Sequence, residues 1–267
     1  MTSSNISVNR CTMALRILCL LGFLTFCHAG VLPLFNSKIV GGENAEAGEI
    51  PYQISLQMKH SSFHFCGGAI LNDNYVITAA HCIIDVRAEK IKVVAGTNDL
   101  NNPKSQHDVV KIIVHENYNM SNSWNNDIAL LKVKTPFVKF VTVGHVPLPS
   151  KDDVVKANDI AVVSGWGLLW INGPISTKLQ RVNVFIADQE YCESIYRKIK
   201  TVHPTQVCAY DPSNQRGMCN GDSGGPLTVN GKLVGLVSWS LGCADTEYPG
   251  VYTRVVSYLD WIANNSV

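Results

Sequence analysis

A serine stands among glycines in Gly221-Asp222-Ser223-Gly224-Gly225-Pro226, with an acid directly before it. Glycines on both sides let the backbone turn tightly and bring its N–H groups close to a bound molecule. That setting suits a nucleophile whose own backbone N–H stabilises the oxyanion created by its attack. Two other strings supply what such a nucleophile needs. Thr78-Ala79-Ala80-His81-Cys82 offers a general base, because an imidazole titrates close to neutral pH. Asn126-Asp127-Ile128-Ala129-Leu130 sets a carboxylate just ahead of an apolar run. Taken singly, each has a plain structural role: Ser223 in a turn, His81 packed, Asp127 as a cap. Taken together, they provide a nucleophile, a base and an acid to hold the base.

The chain order His, Asp, Ser within these strings resembles that of chymotrypsin-fold (trypsin-like) serine proteases, nearest to the arthropod-type chymotrypsins. The likeness runs over residues 39 to 265. It implies that Ser223 attacks the carbonyl, that His81 takes its proton, and that Asp127 holds the imidazole tautomer. The N–H groups of Gly221 and Ser223 would form the oxyanion hole, with Ser238 supporting the aspartate. The implied activity is peptide-bond hydrolysis without a cofactor or metal. Implied partners are polypeptide substrates, an activating protease and protein protease inhibitors, with the enzyme a monomer. Two rivals remain: an elastase-like protease preferring small aliphatic residues, and a protease-fold protein kept for binding alone. The intact His81, Asp127 and Ser223 count against the second, since such proteins commonly lose one member.

In the resembled family, the floor of the specificity pocket lies at the position of Gly217. Trypsins place an aspartate there to pair with Lys or Arg; Gly217 has no charge, and an unpaired buried cation is costly. Met218 beside it adds an apolar, adaptable wall. Gly250 matches a wall position where a large residue would block the pocket. Ser240, where glycine is usual, adds a hydroxyl at the mouth and shifts the expected preference from Phe or Tyr towards Leu or Met. Trp124 should crowd the neighbouring subsite. The reading is chymotrypsin-like cleavage after large apolar residues.

These groups need a scaffold outside the cell. Arg10 and Arg16 precede the apolar run from Ile17 to Phe26, and Cys27-His28-Ala29 offers a cleavage site, the pattern of a secretory signal peptide over residues 1–29. The run is shorter than the ~20 apolar residues a membrane span needs. Residues 30–38 read as an activation propeptide ending in Lys38, before Ile39-Val40-Gly41-Gly42, which opens the mature enzyme in the resembled family. Cutting after Lys38 frees an ammonium on Ile39 that can pair with Asp222 inside the protein, and a buried carboxylate without a partner is costly. The protease domain is then 39–267, and the protein is an exported zymogen.

The chain carries 22 Lys and Arg against 21 Asp and Glu, with no long basic block, which argues against nucleic acid and membrane surfaces as partners. Cys11, Cys19 and Cys27 fall in the leader. Cys66, Cys82, Cys192, Cys208, Cys219 and Cys243 remain, and in an exported chain they imply disulfides whose pairing spacing alone leaves open. The resemblance selects Cys66–Cys82, Cys192–Cys208 and Cys219–Cys243. Zinc is disfavoured: CxxC and HExxH are missing, and His60 and His64 fall in strand and loop. A calcium loop over Thr97 to His107 is doubtful, with Asp99 its one acid. Asn119-Met120-Ser121 and Asn264-Asn265-Ser266 are glycosylation sequons.

Short β-rich runs between Gly, Asn, Asp and Pro breaks predict an all-β chain. They are Tyr52–Gln57, Tyr75–Thr78, Ile91–Ala95, Val109–Val114, Ile128–Val133, Ile160–Ser164, Val182–Ile186, Leu227–Val229, Leu233–Ser238 and Gly250–Arg254. From Val255 to Ala263 the period becomes helical, with Val255, Leu259 and Ile262 on one face. The resemblance implies two six-stranded antiparallel barrels and a C-terminal helix, with the site in the cleft between the barrels.

Overall fold

The computed structural model describes residues 39–267; the leader, the propeptide and Lys38 lie outside the described residues. Among the described residues, twelve of thirteen strands form two antiparallel barrels. In the first, β2 (Gln53–Met58), β3 (His64–Ile70), β4 (Tyr75–Thr78), β7 (Ala129–Val133), β6 (Ser105–Val114) and β5 (Ile91–Ala95) follow one another round the wall. In the second, β8 (Ile160–Gly165), β9 (Gln180–Ile186), β10 (Gln206–Tyr210), β13 (Gly250–Arg254), β12 (Lys232–Trp239) and β11 (Pro226–Val229) close back onto β8. The two-residue β1 (Glu43–Asn44) adds to the outer edge of β9.

Alternation along the strands builds three cores. Ile54, Leu56, Val93, Val109, Ala129 and Leu131 fill the first barrel. Val163, Val182, Val184, Leu227, Val237 and Tyr252 fill the second, together with Ile39. The residues between them on the same strands, such as Ile77, Leu130 and Leu236, join Val255, Tyr258 and Ile262 in a third cluster that fastens one barrel to the other. The C-terminal segment begins as a 3-10 turn, Val255–Tyr258, and becomes α-helical only over α2 (Leu259–Asn265). Its buried side chains are therefore Val255, Tyr258 and Ile262, and Leu259 is only half-buried, because the tighter first turn rotates the face.

Three elements departed from the expected pattern. β3 carries Gly67-Gly68, which interrupts any alternation of apolar side chains. The glycines are there for close approach: a Cβ on Gly67 would lie 3.0 Å from the Gly225 Cα, and one on Gly68 would lie 2.8 Å from the Ile77 carbonyl oxygen. β10 is buried on both sides between β9 and β13, so it shows no polar alternation. α1 (Gln189–Tyr196) is a two-turn helix whose cap is Asp188, accepting the Tyr191 N–H at 2.9 Å. Only Cys192 and Tyr196 are buried on it, too few to reveal a period.

The cysteines pair as Cys66–Cys82, Cys192–Cys208 and Cys219–Cys243. The first ties β3 to the 3-10 turn Ala80–Cys82 that carries His81. The third links the segment holding Met218 to the one that follows Ser240.

Candidate active site

Asp127 lies just before β7, wholly buried at the seam of the two barrels. Its carboxylate accepts three hydrogen bonds: the His81 backbone N–H at 2.9 Å on one oxygen, and on the other the His81 Nδ1–H at 2.8 Å and the Ser238 Oγ–H at 2.6 Å. Thr253 Oγ1, from β13, donates to its carbonyl oxygen at 2.7 Å. The first barrel thus supplies the acid and the imidazole, and the second supplies two hydroxyls that hold the acid. Asn126, at φ 58, turns the chain so that Asp127 points inward, and its own amide oxygen accepts the Tyr258 hydroxyl at 2.9 Å. With Nδ1 donating to a carboxylate, the lone pair of His81 is on Nε2, on the partly exposed side of the ring.

Ser223 reaches the same seam from the second barrel. Its carbonyl accepts the Gly67 N–H at 2.8 Å, and the Gly224 N–H donates to the Val237 carbonyl at 2.8 Å. Gly224 has φ +73 and packs against Thr78 and Ala79, where a Cβ would collide with the Thr78 hydroxyl. This contact brings the serine loop against the segment leading into His81. No hydrogen bond joins Ser223 Oγ to His81 Nε2 in the structure; such contacts commonly tighten only when substrate is bound. Within the loop, the N–H groups of Asp222, Gly224 and Gly225 have carbonyl partners. Those of Gly221 and Ser223 have none among the described residues, and Gly221 has φ +96. Two free N–H groups beside a serine can stabilise a developing oxyanion.

Asp222 is completely buried. Its oxygens accept the Gly167 N–H at 2.8 Å and the Cys219 N–H at 3.0 Å. Gly165 and Gly167 give it room, since a Cβ at either position would collide with the carboxylate. No cation lies within 4.0 Å among the described residues, and burial pushes its pKa up to about 7. Ile39 is also fully buried, and Val40 accepts the Gly217 N–H at 3.0 Å, so the start of the described chain is bonded to the pocket floor.

Gly217, Met218, Ser240 and Gly250 line one pocket, joined by Tyr252 and Asp245. The cavity is tight, with about 10 Å³ open to a sphere of water's size. Met218 is the reason: its Cε lies where a Cβ on Gly250 would be only 2.6 Å away. Gly217 has φ +150, a conformation that residues with a Cβ rarely adopt. Arg216 also lines the pocket and pairs with Asp211, which is not among the lining residues. Ser240 is exposed at the rim, its hydroxyl donating to the Gly242 carbonyl at 2.6 Å. Asp245, which the sequence analysis did not single out, accepts the N–H groups of Glu247 and Tyr248 at 2.7 and 2.9 Å.

The sequence offers His64 a role only as a metal ligand, and a disfavoured one. Its Nε2–H donates to the Gly221 carbonyl at 3.0 Å, while Nδ1 accepts the Ser55 hydroxyl at 2.7 Å. It clamps the serine loop to the first barrel, and burial lowers its pKa to about 4. Sequence could not single it out, because its partner on the loop is 157 residues away.

Residues 39–262 match the protein family described as Trypsin. The chain is 40% identical over 233 residues to "Trypsin Blo t 3" of Blomia tropicalis, covering 86% of each chain. It is 39% identical over 229 residues to "Chymotrypsin-2" of Vespa crabro, covering 86% of this chain and all of that one. It is 36% identical over 233 residues to "Vitellin-degrading protease" of Bombyx mori, covering 87% of each.

The clamp has a pH signature. An imidazole with a pKa of 6.5 when unfolded and about 4 when folded contributes stability in full above pH 6.5, and loses it as pH falls towards 4. Asp222 acts in the opposite sense, losing stability as pH rises from 3.8 to about 7. Comparing wild type with His64→Gln cancels the Asp222 contribution. Urea unfolding at pH 7, 5.5 and 4 should show wild type falling relative to the variant by about 3 kcal/mol. A difference that does not change with pH would show that the imidazole is not held neutral.

Proposed function

The chain belongs to the trypsin family and is a serine endopeptidase, and from that premise we propose a secreted zymogen that cuts after large apolar residues. The observation that carries the specificity is the uncharged floor at Gly217 beside the apolar Met218, with Asp211 neutralised by Arg216. A Lys or Arg side chain entering this pocket would meet no carboxylate at Gly217 and would lie beside the Arg216 cation, while Asp245, the acid in the lining, is turned to the Glu247 and Tyr248 N–H groups; a cation left unpaired there is costly. Met218 is unbranched and adaptable, so its terminal methyl can swing from Gly250 to admit a substrate side chain. The tightness of the pocket favours Leu or Met over Phe. It is also the one observation that favours the second reading, an elastase-like preference for small aliphatic residues.

In the proposed mechanism, Ser223 Oγ attacks the scissile carbonyl and His81 Nε2 takes its proton. Asp127 holds the ring through Nδ1 and stabilises the imidazolium. The new oxyanion is bound by the Gly221 and Ser223 N–H groups. His81 then passes the proton to the leaving amine, and water repeats the sequence to release the acyl group. Activation follows from Asp222. Cleavage after Lys38 creates an ammonium on Ile39, a cation for a carboxylate whose partners among the described residues are two peptide N–H groups. Substrates are polypeptides, an activating protease acts at Lys38, and protein inhibitors would occupy the same cleft.

Ser223→Ala and His81→Ala should each lower kcat by roughly 10⁴-fold or more, and the double variant should be little worse, because proton transfer fails once either member is gone. Multiplicative losses in a steady-state assay would mean that the two act independently. Stoichiometric labelling of Ser223 by an organophosphate separates the enzyme from a protein kept only for binding.

Lys38→Gln should yield a secreted protein that trypsin does not activate, whereas the wild-type precursor gains activity and an IVGG N-terminus. Full activity of the uncut variant would remove the proposed role of Ile39.

For the pocket, kcat/KM across a peptide series differing only at the residue before the cut should place Leu, Met, Phe and Tyr far above Arg and Lys. Ser240→Gly should improve Phe relative to Leu, within the ~1–3 kcal/mol that pocket shape commands. Gly217→Asp should weaken apolar substrates without creating an efficient trypsin, since φ +150 disfavours any side chain. Preference of the wild-type enzyme for Arg would overturn the assignment.

A further inference from the structure

Lys200, in the loop after α1, holds its ammonium 3.7 Å from the centre of the Trp124 ring and 5.1 Å from that of Trp239. The two indoles stack on each other, centres 6.2 Å apart and planes 26° from parallel. Both belong to the neighbourhood of Asp127. Trp124 precedes it in the same loop, and Trp239 follows Ser238, which donates to its carboxylate. Two aromatic faces attract a cation without neutralising it. No carboxylate lies within 4.0 Å of Lys200 Nζ among the described residues, although Glu190, Glu193 and Arg197 line the same hollow. Partial burial strips hydration from this ammonium and lowers its pKa.

The arrangement is built in. Ser123 and Trp124 both have positive φ, 52 and 51, which a free loop of such residues avoids. The loop of Lys200 holds them there. Thr201 N–H donates to Ser123 Oγ at 3.1 Å, Gln206 Nε2 to the Ser123 carbonyl at 2.9 Å, and Thr205 Oγ1 to Asn125 Oδ1 at 3.2 Å.

The path of a substrate past this cation follows from the sheet. β12 pairs with β13 as far as Trp239, but β11 leaves its other edge after Leu236, and Val237 makes the last bonds there, to Gly224 and Gly225. From Ser238 onward that edge is free to accept an extended peptide as an added strand. With the specificity residue in the pocket beside Ser240, the preceding residue faces Trp124. Alternation returns the fourth residue before the cut to the same face, about 6.6 Å farther along. That places it by Trp239 and Lys200.

We propose that Lys200 is a specificity residue that selects an acidic side chain at the fourth position before the scissile bond. The proposal rests on the reading above that a polypeptide lies in this cleft. It adds a charged determinant at one end of the site to the apolar one in the pocket.

The test uses the activated enzyme and peptide amides that share the three residues next to the cut, chosen for fastest turnover, and differ only in Glu, Gln or Lys at the fourth. Wild type should favour Glu over Gln in kcat/KM by roughly two- to fivefold at low salt, the range of a partly exposed ion pair, and less as salt is added. Lys200→Met keeps the packing stem and should bring the ratio to unity. Lys200→Arg should preserve it, and Lys200→Glu should turn preference towards Lys. An unchanged Glu-to-Gln ratio in Lys200→Met, or an equal loss on all three substrates, would overturn the proposal alone. Failure of wild type to cleave even the Gln peptide would overturn the underlying reading and this proposal with it.

Discussion

A carboxylate removed from water, with two peptide N–H groups and no neighbouring cation among the described residues, sets the terms for the loops at the mouth of the second barrel. Asp222 is that group. Gly165 and Gly167 must lack side chains to make room for it, and Cys219 must present its N–H, which fixes the turn that carries Met218 on one side and Ser223 on the other. The same turn leaves the Gly221 and Ser223 N–H groups free. A deep desolvation cost at one atom is therefore connected to the pocket, the oxyanion donors and the serine. In the activation proposed here, the Ile39 ammonium relieves that cost at the place where it is felt.

The reacting groups come from both barrels, so their geometry depends on the surface where the barrels meet. Asp127 is gripped from both sides, by His81 of its own barrel and by Ser238 and Thr253 of the other. Ile77, Leu130 and Leu236 press the barrels together through apolar side chains, and polar bonds across the seam hold Asp127 and the serine loop, among them the Gly67 N–H to the Ser223 carbonyl. His64 adds a further bond across the seam, to the Gly221 carbonyl. A buried imidazole forced to stay neutral keeps that bond directional, because only Nε2 carries a proton when Nδ1 accepts from Ser55.

The family match places this chain among proteases that bear both trypsin and chymotrypsin names, so the names do not choose its specificity. The specificity proposed above rests on the chemistry at particular positions. The floor has no charge, Asp211 is paired, and Met218 narrows the cavity. Farther along the cleft, Lys200 rests on two indoles. On these features rest the two proposals, apolar character at one end of a bound peptide and acidity at the other.

Much of this was legible in the residues themselves. Tyr75–Thr78, Ile91–Ala95 and Gly250–Arg254 read as strands with their observed bounds, because short β-rich runs between breakers encode extended backbone locally. The strings around His81, Asp127 and Ser223 named the chemistry through residue type and flanking glycines. β3, β10 and α1 were not legible: glycines chosen for contact with another segment, full burial on both faces, and only two buried positions all erase periodicity. His64 and Lys200 leave no local signal for a related reason. What each side chain does depends on a partner remote in sequence, such as the Gly221 carbonyl for His64 or the paired indoles for Lys200. The sequence by itself determined which groups could react and which segments would extend. Among the described residues, packing alone decides which carboxylate loses its water, which N–H groups lack acceptors and which cation lacks a counter-charge, because desolvation and pairing arise when distant segments come together.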